Sequence, residues 1–473
     1  MNYQKSLFVE PLERVEVMEV SVEVIVQLLQ EDLDFHDSDS GYASHNFHSF
    51  PAKFPPQLPR KFIISLTQPG DVVLDPMVGS GTTLLEAVLA GRRAIGFDID
   101  PMAIMISNVK ITPLDLFEVA NMSRRIVTQA RNNLLRYPEL LETLLSRRWD
   151  SKTREFVDYW FLPQTQLELM ALLHEIEGIP DARLRHFFNL AFSAIIITKS
   201  GGVSLALDLA HTRPHRAKIV KTKAGKIVQG EQYVGQFAQR ERYVTKIQRS
   251  PIEEFEKRIQ SNITGLIGPI GSETQSLALF GNAEAIPLRD ASVDLIVTSP
   301  PYASNAIDYM RAHKFSLVWL EHSITALGEK RKAYVGGEAI TGFCFEELPE
   351  YVAQVVATIA ALDEKKGQVL YRYYSEMRRV LQQMFRVLKP GKVAILVVGN
   401  SVMRGRDTET QNCLAAIGRQ IGFDVPGIGV RNLDRNRRML PAGEKVEGES
   451  QIERRMHEEY VIAFYKPVER RSL

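Results

Sequence analysis

The chain has 473 residues, a net charge of +1, 45% apolar side chains and 24% charged ones. That length exceeds one ordinary domain, and the balance is that of soluble globular material. Near-neutrality means that any affinity for nucleic acid must come from a local patch.

Two cysteines, Cys344 and Cys413, exclude a disulfide framework and fit a reducing cytoplasm. Both are read as core residues. No apolar run approaches the roughly 18 residues of a membrane span. The opening "MNYQKSLFVEPLERVEVMEV" lacks a signal-peptide core. No histidine clusters with Cys, Asp or Glu at ligand spacing, so no metal is expected.

In chain order, 1–44 is an extension ending in an acidic loop, "EDLDFHDSDSG". A short helix is expected around 57–67. "DVVLD" (71–75) predicts a buried strand, "TTLLEAVLAG" (82–91) a helix closed by Gly91, and "RAIGFDID" (93–100) a second strand. This is the start of a doubly wound α/β sheet. Residues 113–272 break the rhythm, with helical periodicity over 115–147 and 163–200 and a basic stretch from 213 to 249. Alternation returns with "VDLIVTS" (293–299). A helical stretch over about 350–388 follows, then a strand in "LKPGKVAILVVGNS" and a last one in "EEYVIAFYK". The expected organisation is a cofactor-binding half over 45–112, an insertion over 113–272 and a catalytic half over 273–473.

"DPMVGSGTT" (75–83) carries the first chemistry. Asp75 and Pro76 end a strand, Gly79, Ser80 and Gly81 make a turn, and Thr82 and Thr83 begin a helix whose free N–H groups face a crevice. Asp98, at the end of the next strand, matches the carboxylate that binds ribose hydroxyls in nucleotide-binding α/β folds. The third glycine of a dinucleotide loop and the Gly-Lys-Ser/Thr of a P-loop are absent. The second site is "TSPPY", where Pro300 and Pro301 stop a strand and leave a rigid corner between Ser299 and Tyr302.

Together these motifs resemble the S-adenosylmethionine-dependent DNA amino-methyltransferases, which act on cytosine N4 or adenine N6. The resemblance covers roughly the first 110 and the last 200 residues. It implies a Rossmann-like class I methyltransferase domain and S-adenosylmethionine as cofactor. "HSFPAKFPPQLPRKFI" (48–63) resembles the family's further cofactor segment, which places Lys53 and Phe54 beside the methionine part. "GNAEAIPLRDASVDLIVTSPPY" places Asn282 and Ala283 at the adenine. Met77 stands where the family usually has Phe, and Asn282 where it often has Asp.

Serine at the head of the tetrapeptide leans toward cytosine N4, aspartate toward adenine N6. On this reading Ser299 Oγ and the Pro300 carbonyl accept hydrogen bonds from a poorly nucleophilic amine, and Tyr302 stacks on a flipped base. Methylation at cytosine C5 is argued against, since neither cysteine follows a proline.

The insertion is expected to read the target. Over 213–249 ten Lys or Arg stand against two acids, a net +8, which suits phosphate contact. Arg213, Arg216, Lys218, Lys221, Lys223 and Lys226 lie around a hairpin turn at Ala224-Gly225, and "RNLDRNRRML" (431–440) is a second basic loop. Asp308, Tyr309 and Arg311 are candidates for the base pocket or a flanking phosphate. Double-stranded DNA is the expected partner, with a restriction endonuclease as a functional companion. Adenine N6 and RNA remain alternative targets, and the oligomeric state is open.

Overall fold

The computed structural model describes residues 20–50, 53–198, 201–207, 216–237, 241–266, 276–303, 309–337, 340–399, 401–433 and 458–468. Among them are twelve strands: β1 (Val72–Asp75), β2 (Arg93–Asp98), β3 (Ile219–Lys221), β4 (Ile227–Gln229), β5 (Thr245–Ile247), β6 (Leu277–Phe280), β7 (Val293–Thr298), β8 (Leu388–Gly399), β9 (Val402–Met403), β10 (Arg406–Asp407), β11 (Ile428–Asn432) and β12 (Glu458–Tyr465).

Seven of these form one sheet in the order β11-β12-β8-β7-β1-β2-β6. Within it β6, β2, β1, β7 and β8 pair in parallel, and β12 runs antiparallel to both β8 and β11. The chain starts at the centre with β1, winds outward through β2 and β6, then returns to the other side of β1 with β7. The crevice above a strand order that reverses is where ligands bind in such sheets. Here it opens between the ends of β1 and β7.

Central strands must bury both faces, and their sequences do so by alternation. Val73, Leu295, Ile395 and Val461 pack on one side with the helices Val22–Gln30, Gln57–Leu66 and Thr82–Leu89. Leu74, Ile296, Leu396 and Ile462 pack on the other with Glu350–Leu362, Glu364–Val387 and Thr410–Ile421. The first of those helices lies in what the sequence suggests is only an extension; Ile25, Leu28 and Leu29 are core residues.

Three expected helical runs are broken, each for a local reason. Within 163–200 the helix Pro163–Glu177 ends before Pro180, and Asp181 caps the helix Ala182–Ile196. Within 115–147 the chain breaks at Tyr137, because Pro138 cannot donate to the preceding turn and instead starts the helix Pro138–Arg148. Within 350–388 it breaks at Asp363, whose side chain accepts the Lys366 N–H and caps a new helix.

The helices of the 116–196 region share a single core with both flanking halves. Met102 and Ile106 reach it from the cofactor half, and Phe315 and Trp319 from the segment after the Ser-Pro-Pro-Tyr corner. Trp319 is fully buried, its ring edge-on to Trp149 at 4.9 Å and to Phe161 at 5.5 Å. The basic stretch forms a small sheet in the order β4-β3-β5. Its hairpin turns at the expected place, where Gly225 adopts φ +85° and donates to the Thr222 carbonyl. Cys413 is buried as expected. Cys344 is exposed, in a segment between 340 and 349 that forms no regular element.

Candidate active site at the switch point of the sheet

At the end of β1 the Asp75 carboxylate accepts a 2.6 Å bond from the Thr298 hydroxyl at the end of β7 and one from the Met77 N–H. Burial pushes this carboxyl up to about 6, against the pull of those bonds. The two motifs recognised in the sequence, 223 residues apart, are thus fastened to each other at the switch point.

The glycine loop needs its glycines. Gly79 and Gly81 have φ of +48° and +72°. A Cβ on Gly81 would come within 2.9 Å of the Ser107 backbone. Beneath the loop, the buried Lys110 donates a 2.6 Å bond to the Ser80 carbonyl. Thr83 faces inward and donates to the Val297 carbonyl. Asp98, half-buried, accepts the Gly79 N–H and the Asp100 N–H, both at 2.9 Å. Burial, with the neighbouring charge of Asp100, pushes its carboxyl up to about 7.

The cleft over this loop encloses about 900 Å³, its open mouth included. Its walls bring together Lys53, Phe54, Asp75, Pro76, Gly79, Ser80, Thr82, Asp98, Asn282, Ala283, Ser299 and Pro301. Gly81, Thr83, Pro300 and Tyr302 are not on its wall. Gly81 and Thr83 shape the loop from below, Pro300 is buried, and Tyr302 turns away so that its phenol donates a 2.8 Å bond to Glu459. Lys53 is exposed and donates to the His45 carbonyl. Asn282 accepts the Glu284 N–H and caps the short turn after β6, a local duty that an aspartate would also perform.

Sequence reasoning missed several wall residues. Phe50 stacks on Tyr309 with ring centroids 5.1 Å apart. Asp100 accepts from His313 Nδ1 at 2.6 Å and from the Tyr334 phenol at 3.0 Å, and its other oxygen caps the helix Pro101–Ile111. Burial opposes ionisation of Asp100, but His313 and these bonds hold the carboxyl below the usual range. The "DIDP" run marks Asp100 as a helix cap. Nothing local marks Tyr334, which arrives from 234 residues away.

The basic residues divide. Arg216 donates to the Tyr159 carbonyl and lies over that ring, fastening the small sheet to the helices. Lys221 pairs with Glu241 at 3.4 Å and Lys223 with Glu253 at 2.7 Å. Lys246, half-buried, gives its ammonium to the carbonyls of Gly201, Ser204 and Ala206. Part of the local +8 therefore goes to contacts within the protein, which the count of charges could not reveal. Lys218 and Lys226 form no ion pair among the described residues. Arg311 is exposed on the helix Met310–Leu317. Arg213, Asp308 and most of the 431–440 loop lie outside the described residues.

A ribose-bearing cofactor suits this donor set: a loop that no Cβ could enter, helix N–H groups above it, a raised carboxylate at the second strand and aromatic walls. Residues 31–109 match the DNA methylase family model for N6 and N4 enzymes. The Type II methyltransferase M.MvaI of Kocuria varians is 24% identical over 393 residues, covering 79% of this chain and 80% of its own. M.BsoBI of Geobacillus stearothermophilus is 22% identical, covering 89% and 87%. A solved S-adenosylmethionine-dependent methyltransferase from Methanosarcina mazei aligns over 86% of this chain and 98% of its own, at 11% identity and a TM-score of 0.28. The class I α/β sheet of this chain is that of S-adenosylmethionine-dependent methyltransferases, and the chain is similar over most of its length to Type II methyltransferases and over residues 31–109 to the DNA methylase family of N6 and N4 enzymes.

Proposed function

We propose that this chain transfers a methyl group to the exocyclic N4 of cytosine in double-stranded DNA, within a base flipped out of the helix. The observation that carries the reading is Ser299. It lies on the wall of the cofactor cleft and at the head of the Pro-Pro corner, so one hydroxyl serves both the cofactor side and the base side. Likeness to the Type II methyltransferases M.MvaI and M.BsoBI supports DNA as the substrate.

Bound S-adenosylmethionine supplies an electrophilic sulfonium methyl. Asp98 would hold the ribose hydroxyls, and the turn over 79–82, with no side chain at Gly79 or Gly81, would let the cofactor come close to its backbone. Asn282 and Ala283 border the adenine. The amine of cytosine is a weak nucleophile because its lone pair is delocalised into the ring. Ser299 Oγ and the Pro300 carbonyl accept its hydrogens and localise that pair toward the methyl. The ring of Tyr302 offers a stacking face worth about 1–3 kcal/mol. Lys218, Lys226 and Arg311 are the basic residues assigned to phosphate.

The test is transfer of labelled methyl from S-adenosylmethionine to duplex DNA and, separately, to RNA of the same sequence. Labelling of duplex DNA that Ser299→Ala reduces by at least about tenfold is expected. Labelling of RNA alone, or a rate indifferent to Ser299→Ala, would overturn the reading.

A further inference from the structure

The helix Glu364–Val387 carries Arg372, Glu376, Arg379 and Arg386 at spacings of four, three and seven residues. That spacing puts all four on one stripe of the helix. Tyr373, Met377, Val380, Leu381 and Met384 form a neighbouring stripe, buried in the core beside the sheet. The apolar stripe fixes the helix, and the polar one meets what lies next to it.

What lies next to it is one end of the cofactor cleft. Arg379 donates to Glu284, one residue after the wall residue Ala283, and to Glu346 at 3.1 Å. Arg386 donates to the carbonyls of Ile286 and Leu288 at 2.6 and 2.7 Å. Glu376, 3% exposed, accepts the Gly336 N–H at 2.8 Å, one residue after the wall residue Val335. Its other oxygen accepts from Arg372. Ala283 and Val335 pack into the same core as Phe97. Two stretches of cleft wall, 281–283 and 334–335, are thus fastened to one stripe of one helix.

Neither stretch can hold its own shape. Residues 283–285 make a single short turn, and 334–337 form no helix or strand. Their positions depend on what they are tied to. We infer that Glu376 and Arg379 are positioning residues for the cofactor, setting the two stretches of wall relative to each other and so the fit of the cleft to the adenine ring. This rests on the reading that Asn282 and Ala283 border the adenine, and extends it to a helix with no residue on the cleft wall.

Glu376→Gln keeps volume, but an amide has one acceptor oxygen and cannot serve both Arg372 and Gly336. Arg379→Met keeps an apolar stem of similar length, and Arg379→Lys returns the charge without the fork that reaches Glu284 and Glu346 together. For these variants and wild type the experiment measures calorimetric titration with S-adenosylhomocysteine, single-turnover methyl transfer to duplex DNA at saturating S-adenosylmethionine, and melting temperature.

Glu376→Gln and Arg379→Met should each weaken S-adenosylhomocysteine binding by about tenfold, with the transfer rate at saturating cofactor unchanged. Arg379→Lys should recover part of the affinity. Wild-type affinity in folded Glu376→Gln and Arg379→Met, even with a lowered melting temperature, would reduce the stripe to a structural brace and overturn the inference. So would an equal loss of affinity and of saturated rate. Failure of the underlying reading has a different signature. Ala283→Leu, measured in parallel, puts bulk on the cleft wall, and wild-type affinity in that folded variant would place the adenine elsewhere, whatever the other variants do.

Discussion

Asp98 accepts two backbone N–H bonds, yet burial and Asp100 push it up to about 7. Ribose hydroxyls donate to the ionised form and favour it, so cofactor binding should release a proton at pH values below about 7. Affinity should therefore rise with pH by up to about tenfold per unit toward neutrality, then level off. Titration calorimetry between pH 5 and 8 checks this, and Asp98→Asn should flatten the profile. The ligand-free protein behaves in the opposite sense. A carboxyl whose folded value is raised contributes stability present below its unfolded value near 3.8, and loses it as pH rises through about 7. At the corner, Tyr302→Ala removes a stacking face and should slow transfer by roughly 5- to 150-fold while sparing cofactor affinity. Stopped single-turnover assays at saturating cofactor separate the two, and an equal loss in both quantities would assign Tyr302 to the cofactor instead.

At the scale of elements, the β3–β4 hairpin is the piece whose chemistry its sequence only half discloses. Alternation and Ala224-Gly225 made the turn legible, since a left-handed glycine is needed there. The fate of each lysine was not, because Glu241 and Glu253 arrive from separate helices. The Lys223–Glu253 pair is exposed, at 69% and 47%, and a surface pair of this kind is worth little, so a phosphate can replace the carboxylate. Lys218→Gln with Lys226→Gln should flatten the log–log salt dependence of DNA binding by about 1.8, two contacts' worth. Filter binding over a salt series reads this, and an unchanged slope would remove the hairpin from the DNA interface. The cofactor loop was more legible. "DPMVGSGTT" and Asp98 are contiguous or nearly so, and a strand-turn-helix places them by itself. Tyr309, a candidate from its place after the Pro-Pro corner, is on the cleft wall, whereas Phe50 and Tyr334 reach it only through long-range packing that no spacing announces.

For the whole molecule, the core that joins Met102, Phe192 and Trp319 ties the helical insertion to both halves of the sheet domain. Trp319→Ala should cost about 3–5 kcal/mol. The protein should then lose the insertion and the cofactor cleft in one transition at a lower temperature. Calorimetry resolving two separate transitions would mean that the insertion folds independently. The same continuity fastens β1 to β7 through Asp75 and Thr298, so that cofactor and base sides are parts of one rigid rim. The claim that this rim methylates cytosine N4 is tested most directly by nucleoside mass spectrometry of plasmid DNA from cells expressing the protein. N4-methylcytosine that disappears with Ser299→Ala is the predicted result. N6-methyladenine in its place, or unmodified DNA from a folded protein, would contradict it.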